Sequence, residues 1–121
     1  MHPPVLMEQS YSIIKQSKIY LNSMPFFKNG THERIFLSFA CGSLPITTDN
    51  LWVHDHFKQG EEILVYRSNH WAEADEMVNV FLADNIKREE IIRKGRKIVM
   101  ENHTWDIRAQ ELLKQLKKIK T

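Results

Sequence analysis

Three short runs of β-forming residues, at 18–22, 44–48 and 62–66, constrain this chain more than any other feature. Each is too brief for a helix and rich in residues that suit a pleated surface. The third, Glu62-Ile63-Leu64-Val65-Tyr66, is apolar without alternation, as expected of a strand covered on both faces. Pro45 stands near the start of the second, where a missing amide matters least. Helical or looped crossovers separate the runs, so the pattern predicts an α/β fold with about three short parallel strands.

Helical periodicity fills the rest. Residues 5–16 place Val5, Tyr11, Ile13 and Ile14 in a loosely helical pattern. Pro25 and Asn29-Gly30 mark a loop, after which Thr31 is placed to cap a helix beginning at His32, with Glu33 in its first turn. Ile35, Phe36, Phe39 and Ala40 form its inner face and Gly42 stops it. Residues 51–59 suit one or two irregular helical turns closed by Gly60. The C-terminal third is helical. Ser68 or Asn69 opens a helix with Trp71, Ala74, Met77, Val78, Phe81 and Leu82 on one face. Asn85 opens the next, with Ile86, Ile91, Ile98 and Val99 apolar and Gly95 as a packing or weak point. Thr104 opens the last, with Trp105, Ala109, Leu112, Leu116 and Ile119 on one face, which is core by default.

The 121 residues form one domain, 1–121, large enough for a real core. One Cys excludes an intrachain disulfide framework and a Cys-based zinc cage, and suits a reducing compartment. Cys41 itself, in a helix-ending stretch of small residues, is expected to be buried and inert. No apolar run approaches the roughly 20 residues that span a bilayer, and Met1-His2-Pro3-Pro4 does not open a signal peptide, so a cytoplasmic location is expected. Charge is uneven: residues 1–86 carry 6 basic and 10 acidic side chains, residues 87–121 carry 11 and 5. A basic last third can line the wet face of amphipathic helices or meet an acidic partner or membrane surface. Its aromatic residues do not interleave with the basic ones as stacking platforms do, which argues against nucleic acid.

In an open parallel sheet, ligands lie at the carboxyl ends of the strands. Those ends are Asn22-Ser23, Thr47-Thr48-Asp49 and Tyr66-Arg67. His54 and His56 flank Asp55, but two His without a third well-spaced ligand make a poor metal tract, and no metal or other cofactor is expected.

The order of motifs is more specific than any one of them. Ser17-Lys18-Ile19-Tyr20-Leu21-Asn22 leads into Gly30-Thr31-His32-Glu33-Arg34-Ile35-Phe36, then Phe39-Ala40-Cys41-Gly42-Ser43 and Ile46-Thr47-Thr48-Asp49. Phe57-Lys58-Gln59-Gly60-Glu61-Glu62-Ile63, Gly95 and His103-Thr104-Trp105-Asp106-Ile107-Arg108-Ala109 complete the series. Over about residues 10–116 this resembles the C-terminal, donor-binding part of the group 1 glycosyltransferases, especially the branch similar to the spore maturation protein CgeB.

The resemblance implies a partial Rossmann-like, three-layer half-domain of the GT-B C-terminal lobe type. It implies a nucleotide-diphosphate sugar as partner, with the N-terminal lobe that supplies most of the acceptor site absent. The leaving diphosphate develops negative charge, which a turn opening a helix stabilises with backbone amides and the helix dipole. Here that element is Asn29-Gly30-Thr31-His32. Gly30, Thr31 and Arg34 are the diphosphate candidates, His32 the catalytic candidate at the donor, and Thr48 and Asp49 the candidates at the sugar or ribose. Each also has a plainer reading: turn, cap, surface cation or strand end. Many relatives carry a glutamate for the ribose three residues before the Ala-Cys-Gly step, where this chain has Leu37, and a second acid eight positions earlier, where it has Asn29. A half-sheet cannot enclose donor and acceptor together. Two readings follow: a donor-binding fragment completed by another lobe, or a non-catalytic interaction module that keeps the fold. Truncation also leaves sheet edges, beside 18–22 or 62–66, where self-association is expected.

Overall fold

The computed structural model describes residues 7–24 and 33–120. Its elements in chain order are α1 (Met7–Gln16), β1 (Ile19–Leu21), α2 (Glu33–Ala40), β2 (Leu44–Thr48), α3 (Leu51–His56), β3 (Leu64–Tyr66), α4 (Trp71–Ala83), α5 (Asn85–Asn102) and α6 (Trp105–Lys120). The strands form one parallel sheet in the order β1-β2-β3, with Leu21 opposite Ile46 and Thr48 opposite Tyr66. This is an α/β Rossmann-like half-domain. Among the described residues, no helix is long and apolar enough to cross a membrane.

The side chains of a strand alternate between faces, and here each face builds its own core. Ile63 and Val65 join Ile35 and Phe39 of α2 and Val53 of α3 on one side. Leu44, Ile46, Leu64 and Tyr66 join Ala74 of α4 and Ile91 and Ile92 of α5 on the other. Helix α5 serves both layers, since Val99 belongs to the first core and Ile92 to the second. Gly95 lies between these positions. A Cβ built on it would overlap Cε1 and Cζ of Phe39 and the carbonyl oxygen of Glu62, just ahead of β3. A side chain there would push α5 off the end of the sheet, so Gly95 is a packing point.

The turns obey local rules. Gly42 (φ 79°) and Gly60 (φ 84°) both adopt the left-handed backbone that their positions after α2 and before β3 require. Asn50 caps α3 by accepting the Val53 amide at 2.9 Å, and the Thr104 hydroxyl accepts the Ile107 amide at 3.3 Å at the start of α6.

Several expectations need correction. Helix α4 starts at Trp71, not at Ser68 or Asn69, because Asn69 takes a left-handed φ of 66° and His70 is the cap residue without a side-chain bond. The Glu73 carboxylate reaches back to the Arg67 amide instead, at 2.9 Å. Asp84, not Asn85, caps α5, accepting the Lys87 amide at 3.0 Å. Ala40, Leu82 and Ile86 are exposed. Ser38 is buried instead of Ala40, its hydroxyl donating to the Ser43 carbonyl at 2.8 Å. Cys41 is half-buried rather than buried. The largest departure is α6: Trp105, Leu112 and Ile119 all face outward.

The two sheet edges are not equivalent. Gln59 covers the outer side of β3, bridging to Ile63 and donating from Nε2 to the Val65 carbonyl at 3.1 Å. Gln59 thus occupies part of the edge beside 62–66. β1 pairs on one side only among the described residues, and Leu21 is half exposed.

Candidate functional site

The carboxyl rim of the sheet is a buried polar lattice with a small exposed crest. After β1, the Asn22 amide donates to the Ile46 carbonyl at 2.8 Å, and Asn22 Nδ2 donates to the Thr47 hydroxyl at 3.1 Å. The Tyr66 hydroxyl crosses from β3 to donate to the Asn22 carbonyl at 2.9 Å. The Met24 amide then donates to Thr48 Oγ1 at 2.7 Å. Asn22, Thr47, Thr48 and Tyr66 are all buried, so these bonds form where water does not compete. Their shared effect is to hold the chain at residues 22–24 across the ends of all three strands.

Each candidate can now be placed. Thr48 is 1% exposed and its hydroxyl is engaged by Met24, so it supports the rim from below. Asp49 emerges on the surface, tied through its amide to the Tyr66 carbonyl at 2.9 Å, and its Oδ1 pairs with His54 Nε2. Arg34 is exposed on the first turn of α2. Gly30, Thr31 and His32, with Asn29, lie outside the described residues. Leu37 is half-buried.

The histidines divide by environment. His54 belongs to Asp49, whereas His56 stacks on Trp52 with ring centroids 3.9 Å apart and donates from Nδ1 to the Trp52 carbonyl at 2.8 Å. Among the described residues, no three His, Cys, Asp or Glu side chains converge as a metal site. His103 packs among Phe36, Trp52 and Phe57, and burial pushes its pKa down to about 4, helped by the nearby Arg108 cation and by His56. That is a neutral packing residue at the α5–α6 junction. On the rim, Arg67 and Glu73 form an ion pair whose hydrogen bond holds the Glu73 carboxyl below its usual range and the guanidinium above its own.

Two shallow depressions lie elsewhere. One of about 500 Å³ runs past His54, Lys58, Gln59 and Glu62 after α3. The other, about 430 Å³, lies on α5 beside Gly42, with Arg93, Arg96 and Lys97 in its wall, by the amino end of β2. Neither includes Arg34, Thr48 or Asp49.

The three-stranded parallel topology agrees with the motif order. A family model described as glycosyl transferase-like matches residues 1–114, nearly the whole chain. The chain belongs to the glycosyl transferase-like family. No curated protein matches it significantly. For this glycosyl transferase-like domain, sequence reasoning missed the bracing by Asn22, Tyr66 and the Met24 amide. The available signal was a polar residue ending a strand, Asn22 after Ile19-Tyr20-Leu21, opposite another, Thr47.

Proposed function

We propose that this domain binds the nucleotide-diphosphate part of a sugar donor at the carboxyl rim, for transfer to an acceptor held by a second lobe. The observation that carries this reading is where the chain leaves β1 and where α2 is placed. The chain leaves the sheet at the carboxyl rim, braced at Met24 by Thr48, and resumes as α2 with Arg34 exposed on the first turn. At a helix amino terminus, partial positive charge and a guanidinium suit a diphosphate. In the transfer, the bond from the anomeric carbon to the phosphate oxygen breaks and the diphosphate leaves with the electron pair. The acceptor oxygen bonds to that carbon, and its proton passes to the departing diphosphate.

Gly30 and Thr31 are assigned to the diphosphate with Arg34, His32 to the donor beside the leaving group, and Asp49 to a sugar or ribose hydroxyl. Thr48 acts by fixing the rim rather than by contact. Calorimetry with uridine and guanosine diphosphates tests the assignment. Ligand at about a hundred times its Kd stabilises the fold by about 2.7 kcal/mol. Arg34→Ala should abolish that gain, and Arg96→Ala, on α5, should leave it intact. Silence toward every nucleoside diphosphate transfers the weight to the second reading, a non-catalytic interaction module, which the apolar Leu37 favours. Under either reading the open side of β1 is the place for another strand, and a clean monomer in sedimentation at high concentration would count against self-association there.

A further inference from the structure

From Ala109 to Ile119, every residue of α6 is exposed. The helix joins the body at its start, where Ile107 and Arg108 are half-buried, Thr104 caps the first turn and Arg108 bonds to His103. Beyond that turn the apolar side chains are gathered, not scattered. Trp105, Leu112, Leu113, Leu116 and Ile119 fall within an arc of about 120° at 100° per residue. They are also far from buried, with Trp105 at 82%, Leu112 at 61% and Ile119 at 79% exposure. A helix this short gains little from its own hydrogen bonds and is stabilised mainly by burying such a stripe. A contiguous apolar stripe left in water marks a contact surface.

Charge selects the occupant. The rest of the helix surface carries Lys114, Lys117 and Lys118, and from Leu112 onward α6 contains no acidic residue. A second α6 laid parallel on the stripe would bring one lysine-rich end close to another, and laid antiparallel it offers them Asp106 and Glu111, the latter already paired with Arg108. An anionic lipid surface accepts the whole set: lysines among the headgroups, Trp105 at the boundary and the leucines against the acyl chains. We propose that α6 is an interfacial anchor that lies in the plane of a bilayer rich in anionic phospholipid. This does not depend on the donor-binding reading, because among the described residues none of the rim's hydrogen bonds involves α6.

The experiment is cosedimentation of the full chain with phosphatidylcholine vesicles, with and without phosphatidylglycerol. Binding should require phosphatidylglycerol and weaken in high salt. Leu112→Glu/Leu116→Glu should reduce it at least about tenfold while leaving the melting temperature unchanged, since both side chains already face water. Trp105 emission should shift to shorter wavelength with anionic vesicles, and Trp105→Phe should remove that shift. The proposal is overturned by no binding to phosphatidylglycerol vesicles or by binding that the double substitution leaves intact. It is equally overturned by a homodimer that the same substitution dissolves without any vesicle binding.

Discussion

Arg108 Nη2 donates to His103 Nδ1 across 2.7 Å, which makes that ring nitrogen an acceptor and holds the imidazole neutral. The ring stacks on Phe36 with centroids 5.3 Å apart, between α2 and the α5–α6 junction. Burial depresses its pKa from 6.5 to about 4. Between those values the unfolded chain binds the proton and the folded chain does not, so stability rises with pH there. Its contribution is complete above pH 6.5 and is lost as pH falls toward 4. The loss attributable to His103 should reach roughly 2–3 kcal/mol. Denaturant titrations at stepped pH should show it in the wild type, and His103→Phe, which keeps a ring but takes no proton, should flatten the slope in that window.

Gly95→Ala should destabilise. An exposed mid-helix glycine replaced by alanine gains up to about 1 kcal/mol from backbone entropy. Here the new methyl meets Phe39 and the Glu62 carbonyl oxygen, and that backbone atom cannot rotate away. Overpacking of this kind costs about 1–3 kcal/mol, which outweighs the propensity gain. A chemical melt that finds the variant more stable than the wild type would show that α5 can shift off the end of the sheet.

Arg88 is buried in α5, yet its guanidinium serves α4. Nη1 donates to the Phe81 carbonyl at 2.8 Å, and Nη2 donates to Asn85 Oδ1 at 2.7 Å. It thus satisfies the negative end of α4 and fixes the α4–α5 corner. Arg88→Met should cost about 1–3 kcal/mol through the lost charged hydrogen bonds. Arg88→Lys should recover less than half of that, because one ammonium cannot reach both groups as a planar fork does. Equal stability of the Lys variant and the wild type in a urea melt would reduce the role of Arg88 to charge alone.

The elements that sequence disclosed are those set by local pattern. Leu44–Thr48 is readable as β2 because a compact apolar run between a helix-stopping Gly42 and a capping Asn50 leaves few alternatives. The boundary of α4 was not readable, because its start depends on Glu73 reaching backward to Arg67, a contact that periodicity does not encode. The inner face assigned to α6 failed for a related reason. An apolar stripe states that something covers it and does not say whether the cover belongs to the same fold. At the site, Arg34 and Asp49 were legible as polar residues near a helix start and a strand end. The buried lattice of Asn22, Thr47 and Tyr66 was not, since it joins residues 25 and 44 positions apart.

The bond from the Met24 amide to Thr48 Oγ1 gives the sharpest test of that lattice, because valine matches threonine in shape and lacks only the acceptor. Thr48→Val leaves a buried amide without a partner, at a cost of about 1–3 kcal/mol. Thr48→Ser keeps the oxygen and should lose less than Val does. The two should also separate in ligand binding, since Met24 is the last described residue before the connection to α2. If the rim orients that connection for a diphosphate, nucleoside diphosphate affinity should fall with Val and be largely retained with Ser. Parallel losses of stability without any difference in affinity would confine Thr48 to the fold and detach the rim from donor binding.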